Sequence, residues 1–353
     1  MIKDLISKVV KKQDLSVDEM EKAMDEIMSG DATPAQIGAF ITALRMKGET
    51  VDEITGAAKT MRAKATKIFV KNQQVSIDRD DINIDDEVID IVGTGGDGTK
   101  TFNVSTTTAF VAAGADVKVA KHGNRAVSSL CGSADVLEGL GVKLNISTSD
   151  AEKCVNEIGI GFLFAPLFHG AMKHAAGPRK ELGIRSIFNL LGPITNPAGA
   201  KSMVLGVYDL DLTETIANVL KNLGAKEIFV VCGEGTFDEI SICGPTKISH
   251  LKDGKVNTYR ITPEEYGLQT APIKDIVGGS SDKNAQIIKD ILDGEKGAKR
   301  DMVLLNAAAA FVVAGLCDNL NAGISIAEDS IDSGKARKKL DQLVEFTNKC
   351  DSL

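Results

Sequence analysis

The sequence predicts an α/β protein in two parts, a small all-helical domain followed by a larger α/β domain whose central, mostly parallel sheet is flanked by helices. Three observations carry that prediction. Three helix-capping motifs crowd the first sixty residues, and short β-rich runs alternate with helical patterns from residue 88 onward. The chain of 353 residues is also long for one core, since domains usually run about 50 to 250 residues.

The helical part comes first. Ser16-Val-Asp-Glu19, Thr33-Pro-Ala-Gln36 and Thr50-Val-Asp-Glu53 each set a hydroxyl residue three positions before Glu or Gln, the reciprocal arrangement that caps a helix start. Pro34 falls at a first helical position, where its missing N–H removes no bond. Behind the caps, Met20, Ala23, Met24 and Ile27, then Ile37, Phe40, Ile41 and Leu44, recur at three and four, with Gly30 and Gly48 placed as stops. The helical domain is expected over 1–72, with about 169–188 packing onto it, and the second domain over 73–353. The polar stretch 71–87 reads as the hinge between them.

The sheet follows. Val88–Val92, Val117–Ala120, Phe162–Ala165, Met203–Tyr208 and Ile228–Cys232 are short and β-rich, and helical patterns such as 149–158, 213–223 and 303–315 lie between them. Strand and helix alternating at this interval imply parallel strands joined by helical crossovers.

Composition excludes several classes. With 43% hydrophobic and 25% charged residues, the chain has the balance of an ordinary globular protein. The N-terminus shows neither a long apolar run nor a small-residue cleavage site, and no stretch is apolar enough to span a bilayer, so a cytoplasmic protein without membrane contact is expected. The cysteines at 131, 154, 232, 243, 317 and 350 are scattered, which suits reduced thiols and neither disulfides nor structural zinc. A net charge of −8 argues against a nucleic-acid binder. An acidic protein that takes an anionic ligand must hold it with backbone amides, a few cations or a divalent metal.

The first β-rich run ends in Gly93-Thr-Gly-Gly-Asp-Gly98, a literal GxGxxG. A dinucleotide fold would end its second strand in an acid for the ribose hydroxyls, but Val117-Lys-Val-Ala120 is followed by Lys121, a cation suited to phosphate. A P-loop is out of phase, because Gly98-Thr-Lys-Thr101 sets the lysine one residue late. What remains is the shared physics: glycines that accept left-handed φ let successive amides converge on an anion. A plain glycine-rich turn is the alternative. Asn103-Val-Ser-Thr106 adds hydroxyl and amide groups that either face this loop or only cap the next helix.

Further on stand Lys121-His-Gly-Asn-Arg125, Ser128-Ser129, Gly132-Ser-Ala-Asp-Val-Leu-Glu138, Arg179 within GPRKELGIRS, Phe188-Asn-Leu-Leu-Gly-Pro-Ile-Thr-Asn-Pro197 and Asp238-Glu239. With GTGGD at 93–97 and NVST at 103–106, these motifs closely resemble the anthranilate phosphoribosyltransferases, in the family's order and across the whole chain. The resemblance implies transfer of the 5-phosphoribosyl group from phosphoribosyl pyrophosphate to the amine of anthranilate, in tryptophan biosynthesis.

By that resemblance the donor is surrounded by Gly93, Gly96, Asp97, Thr101, Asn103, Val104, Ser105, Thr106, Lys121, His122, Gly123, Asn124, Arg125, Ala126, Val127, Ser128, Ser129 and Ser133. Amides and hydroxyls grip several oxygens without adding charge, and Lys121 supplies a compact cation. Anthranilate is assigned to Gly93, Asn124 and Arg179, whose planar guanidinium matches a carboxylate. Asp238, Glu239 and Ser105 are the implied magnesium ligands, with two ions per subunit; hard oxygens suit that metal, while a solvated Asp-Glu turn is the plainer alternative. His122 is the tempting catalytic imidazole, but an aromatic amine is already neutral at pH 7 and needs no base before it attacks. His169 is either a pocket-lining histidine or a core or surface one; Gly177-Pro178 is expected to break the helix between it and Arg179.

Two other readings stay open. Pyrimidine nucleoside phosphorylases share the resemblance in part but carry a further glycine in place of Asn124 and Gly/Thr residues in place of Ser128-Ser129. A non-catalytic nucleic-acid-binding relative would show a basic groove, which the charge disfavours. The resemblance also implies a homodimer through the N-terminal helices, with the Met20, Met24 and Phe40 stripe as either interface or core.

Overall fold

The computed structural model describes residues 1–70, 88–96, 98–126 and 130–351. The expected hinge at 71–87, and Asp97, Val127, Ser128 and Ser129 of the expected donor site, therefore lie outside the described residues.

Four helices open the chain: α1 (Ile2–Val10), α2 (Val17–Ser29), α3 (Pro34–Lys47) and α4 (Val51–Lys64). At Ser16, Thr33 and Thr50 the hydroxyl accepts the amide three residues on, and the Glu or Gln there accepts the capping residue's own amide, so each predicted start forms as the spacing requires. Glu53 does more than cap. Fully buried, it also accepts the Leu15 amide at 2.9 Å and the Lys47 ammonium at 3.0 Å, tying the α1–α2 connection to α4. The sequence reading missed α1, whose start at Met1 has no side-chain cap to announce it.

The α/β part adds β1 (Ile89–Gly93), α5 (Val104–Gly114), β2 (Val119–Gly123), α6 (Ser133–Gly139), α7 (Thr148–Lys153), β3 (Ile160–Phe164), α8 (Ala165–Phe168), α9 (Lys173–Leu182), α10 (Ile187–Leu191) and β4 (Ser202–Gly206). It continues with α11 (Leu212–Asn222), β5 (Glu227–Gly233), β6 (Thr246–Lys252), β7 (Lys255–Ile261), α12 (Ser281–Leu292), α13 (Ala298–Val313), α14 (Leu320–Asp332) and α15 (Lys335–Lys349). The strands form one sheet in the order β3-β2-β1-β4-β5-β6-β7. The first five in that order are parallel, as the alternation predicts, and β6 and β7 join antiparallel. That hairpin escaped the sequence reading although Asp253-Gly254 announces it: both residues take positive φ, 50° and 70°, as a two-residue hairpin turn requires.

One hydrophobic cluster joins α1–α4 to α11 and to one face of the central strands through Met203, Leu205, Ile228 and Val230. The other face packs on α5 and α13. Met20, Met24 and Phe40 lie in the first cluster at 0% exposure, which corrects the interface reading of that stripe: these side chains are spent on the chain's own core. Helix α9 packs on α2 and α3 and sends Ala175 into the same cluster.

Pro178 sits inside α9 and does not end it, a correction to the expected break. The interruption falls earlier, at His169 and the 3₁₀ turn Gly170–Met172. His169 and Arg179 thus share no continuous helix, for a different reason from the one the proline suggested.

Because β2 and β3 lie on one side of β1 and β4 on the other, the crossovers reverse direction between β1 and β4. In such sheets ligands bind beyond the carboxyl ends of the strands at that reversal.

Candidate active site

The reversal point is marked by two glycines. Gly93 ends β1, Gly206 ends β4, and they are register partners. A Cβ on Gly206 would overlap the Asp238 backbone, and one on Gly93 would overlap the Asp238 carboxylate, so hydrogen in place of a side chain lets the turn after β5 lie across both strand ends. Gly206 was not singled out in the sequence; nothing local distinguishes it from other strand-ending glycines.

Seated there, the two acids diverge. Asp238 Oδ2 accepts the Gly95 amide at 2.6 Å, and Glu239 Oε1 accepts the Ser105 amide at 3.2 Å. The glycine loop takes the left-handed conformation its composition predicts, with φ of 67°, 70° and 79° at Gly95, Gly96 and Gly98. Thr101 closes it against Val277.

Asn103 stands at the N-cap of α5, yet its side chain does not cap the helix. It donates to the Cys131 carbonyl at 3.3 Å and accepts from Asn284 at 2.9 Å, fastening the start of α5 to the loop before α6 and to α12. The capping alternative for Asn103 is therefore displaced. Val104 and Thr106 are buried, and Ser105 is half-buried.

Lys121 and His122 close β2, and strand alternation sends them to opposite faces. Lys121 is 3% exposed and donates to the Ile91 carbonyl at 2.7 Å and the Ser105 hydroxyl at 3.2 Å. Burial pulls its pKa down, and Asp90, Glu239 and Asp238 oppose that pull. Lys121, Ser105 and Glu239 form one polar chain in which each member touches the next.

The His122 ring instead meets His169, centroids 5.0 Å apart. Burial pushes His122 down to about 3 and His169 down to about 4. Among the described residues, Nε2 of His122 and both ring nitrogens of His169 are buried without a hydrogen-bond partner.

Past β2 the chain turns tightly. A Cβ on Gly123 would overlap the Ser133 hydroxyl, and one on Gly132 the Ala126 amide. The Asn124 carbonyl accepts the Ser133 hydroxyl at 3.3 Å, and its side chain accepts the Arg125 amide at 2.8 Å. Arg125 itself is engaged elsewhere, forked onto Glu138 at 2.5 and 2.8 Å and onto Asp135 at 3.1 Å. Asp135, missed in the sequence, accepts both the Ala126 and Gly132 amides at 2.9 Å and so clamps the two ends of the 126–132 segment. Its signal was an acid at the third position of α6.

Comparison with known proteins decides the family. The chain matches the α/β domain of a glycosyl transferase family over residues 85–337 and that family's helical bundle domain over residues 3–65. It is 58% identical to the anthranilate phosphoribosyltransferase of Geotalea uraniireducens over 349 residues, covering 99% of this chain and 100% of the relative. It is 57% identical to that of Geobacter sulfurreducens over the same share of each chain.

The chain belongs to the anthranilate phosphoribosyltransferase family.

Solved structures of family members agree with that placement. The anthranilate phosphoribosyltransferase of Thermus thermophilus superposes with a TM-score of 0.89 at 40% identity, over 97% of this chain and 99% of the other. That of Saccharomyces cerevisiae, in complex with phosphoribosyl pyrophosphate and magnesium, superposes with a TM-score of 0.87 at 29% identity, over 98% of each. In this member of the anthranilate phosphoribosyltransferases, Arg179 projects from α9 with its guanidinium carbon 5.0 Å over the Phe188 ring, half-buried at the seam where α9 and α10 meet the helical domain. The aromatic face fixes the plane of the guanidinium, a geometry lysine does not reproduce.

Proposed function

We propose that this enzyme transfers the 5-phosphoribosyl group from phosphoribosyl pyrophosphate to the amine of anthranilate, giving N-(5-phosphoribosyl)anthranilate and pyrophosphate. The single observation that carries the reading is the polar chain Lys121–Ser105–Glu239 beside Asp238 at the carboxyl ends of β1 and β4, in a chain that matches anthranilate phosphoribosyltransferases over its full length. The donor is assigned to the glycine loop, the 103–106 segment, the 121–129 segment and Ser133. Anthranilate is assigned to Gly93, Asn124 and Arg179, with His169 lining the same pocket.

The donor set of Asp238, Glu239 and Ser105 is all hard oxygen, and two carboxylates with substrate phosphate are what magnesium accepts. Among the described residues no third acidic, His or Cys side chain joins them, which fits a metal that keeps its waters and completes its shell with pyrophosphate. We assign two ions per subunit to this site. The chemistry supplied by bound magnesium is neutralisation of charge on the leaving pyrophosphate.

The protein's own part is positioning and electrostatics. The anthranilate nitrogen attacks C1 of the ribose, the bond from C1 to the pyrophosphate oxygen breaks, and pyrophosphate departs with that electron pair. Lys121, held by Ile91 and Ser105, offsets the charge that develops there. The proton lost from nitrogen passes to solvent or to pyrophosphate. His122, held at about 3 by burial, is too weak a base to be needed for it.

A cytoplasmic homodimer is the assembly we infer. No helix among the described residues is long and apolar enough to cross a membrane. The test of the whole reading is the loss of anthranilate fluorescence on adding enzyme, which must depend on both phosphoribosyl pyrophosphate and magnesium. Phosphorolysis of a pyrimidine nucleoside with free phosphate, in place of that signal, refutes it.

A further inference from the structure

The sheet is not evenly zipped. β2 pairs with β3 along its whole length, Val119 to Gly123 against Ile160 to Phe164, and β1 pairs with β4 from Ile89 to Gly93. Between β1 and β2, among the described residues, the register consists of the pair Ile89↔Val119, with Ile89 N–H bonded to the Lys118 carbonyl at 3.0 Å. Beyond that pair the ladder lapses while the two strands stay side by side.

A parallel ladder that continued from Ile89↔Val119 would bond the Ala120 carbonyl and the His122 amide to the two main-chain groups of Ile91. The lapse would orphan these groups in a buried place, where an unpaired polar group is costly. Three side chains take them instead. Asn196 donates to the Ala120 carbonyl at 2.7 Å. Asp90 Oδ1 accepts the His122 amide at 3.2 Å. Lys121 donates to the Ile91 carbonyl at 2.7 Å.

Two of the three are locked together, for Asn196 also donates to Asp90 Oδ2 at 2.7 Å. Asp90 is 0% exposed and Asn196 is 4% exposed, so neither is a surface residue that happens to lie near. The third is the cation of the donor site. Its ammonium bridges the Ile91 carbonyl of β1 and the Ser105 hydroxyl of α5. A closed ladder would make Lys121 share the Ile91 carbonyl with the His122 amide, whereas here that amide goes to Asp90.

We propose that Asp90 and Asn196 are positioning residues for donor binding: by taking over the missing ladder bonds they fix the end of β2 against β1 and set Lys121 at the depth from which it meets the pyrophosphate. Neither touches substrate on this account. Their effect falls first on the donor, because the brace orients Lys121, a donor residue, while of the anthranilate set Arg179 stands on a separate helix and Gly93 and Asn124 lie two residues beyond Ile91 and His122. Asp90 also lies opposite Lys121 as a compensating charge within the sheet.

The inference rests on the donor reading above, and the experiment separates the two. Wild-type enzyme, Asp90→Asn, Asn196→Ser and the double variant are assayed by anthranilate fluorescence with each substrate varied in turn, and thermal unfolding is followed on the same samples. Asp90→Asn sets an amide N–H₂ against the Asn196 N–H₂ or surrenders the His122 amide; Asn196→Ser removes the reach to Ala120. In each single variant KM for phosphoribosyl pyrophosphate is expected to rise roughly tenfold to a hundredfold, the range of one charge-assisted contact, and kcat to fall with it because Lys121 also offsets leaving-group charge, while KM for anthranilate changes little. The double variant is expected to be no weaker in donor binding than the weaker single, since both cuts fall on one brace. An unchanged donor KM in a folded variant, or an equal rise for both substrates, overturns the inference. If Asp90→Asn does not fold, Asn196→Ser decides; loss of fold in both reduces the pair to stability and overturns it as well. Absence of transfer by the wild-type enzyme defeats the donor reading instead.

Discussion

Asp238 reaches back 143 residues to accept the Gly95 amide at 2.6 Å, so the acidic turn after β5 and the glycine loop after β1 are one structure. The neighbouring Glu239 does the same for Ser105 at the start of α5. Both contacts depend on Gly93 and Gly206 having no side chain.

Removing both acids should therefore injure binding and loop order together. Asp238→Ala combined with Glu239→Ala is expected to lower kcat/KM by at least about a thousandfold, the scale of losing several kcal/mol of charge stabilisation at a metal-assisted step. Initial rates across a magnesium titration measure it, and a variant within tenfold of wild type would show that the acids are only a solvated turn.

Gly206→Ala asks whether the glycine pair matters by itself. The new methyl group meets the Asp238 backbone, so Asp238 must move; the expected cost is about 1 to 3 kcal/mol of stability from overpacking and about a hundredfold in activity from displaced ligands. Gly38→Ala in α3 should act with the opposite sign, because among the described residues its added Cβ meets the Leu182 side chain at 3.9 Å, an ordinary contact, and alanine favours a helix by about 0.5 to 1 kcal/mol. Urea unfolding of the two variants side by side gives the comparison.

His122→Ala should retain turnover, losing less than about a hundredfold in kcat, below what removal of an acid–base catalyst usually costs. Complete inactivity in a folded variant would restore the imidazole to the chemistry.

The two buried imidazoles should instead appear in the pH dependence of stability. Their folded pKa values, about 3 for His122 and about 4 for His169, lie below the ordinary 6.5, so the unfolded chain takes up protons first and stability is lost as pH falls below 6.5. Each contributes about 1.4 kcal/mol per pH unit. Asp90 runs the other way: burial raises it from 3.8 to about 6, the folded state binds that proton first, and stability is gained as pH falls through 6. Summed over the three groups, the net fall grows as pH drops through 6.5, reaches about 1.4 kcal/mol per pH unit near pH 6, and keeps about that slope toward pH 4.5. Unfolding midpoints measured from pH 7.5 to 5 should show it, and His122→Ala should flatten it.

Arg179→Lys should raise KM for anthranilate roughly tenfold to a hundredfold with little change for the donor, since the charge remains and the planar fork does not. Phe188→Ala, which removes the ring beneath the guanidinium, should move the same constant in the same direction by less.

The residues by themselves determined the outline. Capping boxes at Ser16, Thr33 and Thr50 fixed three of the first four helices because their bonds span three residues. The alternation of β-rich and helical stretches fixed the parallel sheet, and the motifs from Gly93 to Glu239 pointed to the family by resemblance. Tertiary structure alone decided what depends on meetings between distant segments. It sent Met20, Met24 and Phe40 into the core, turned Asn103 away from its helix, and left α9 unbroken at Pro178. It also brought Asp90, Asn196 and Lys121 to the lapse in the ladder between β1 and β2, from positions whose spacing carries no such signal. Capping and alternation are local, so their bonds are written within a few residues. Burial, register and the lapse of one ladder belong to the sheet as a whole, and they exist only once residues far apart in the chain have met.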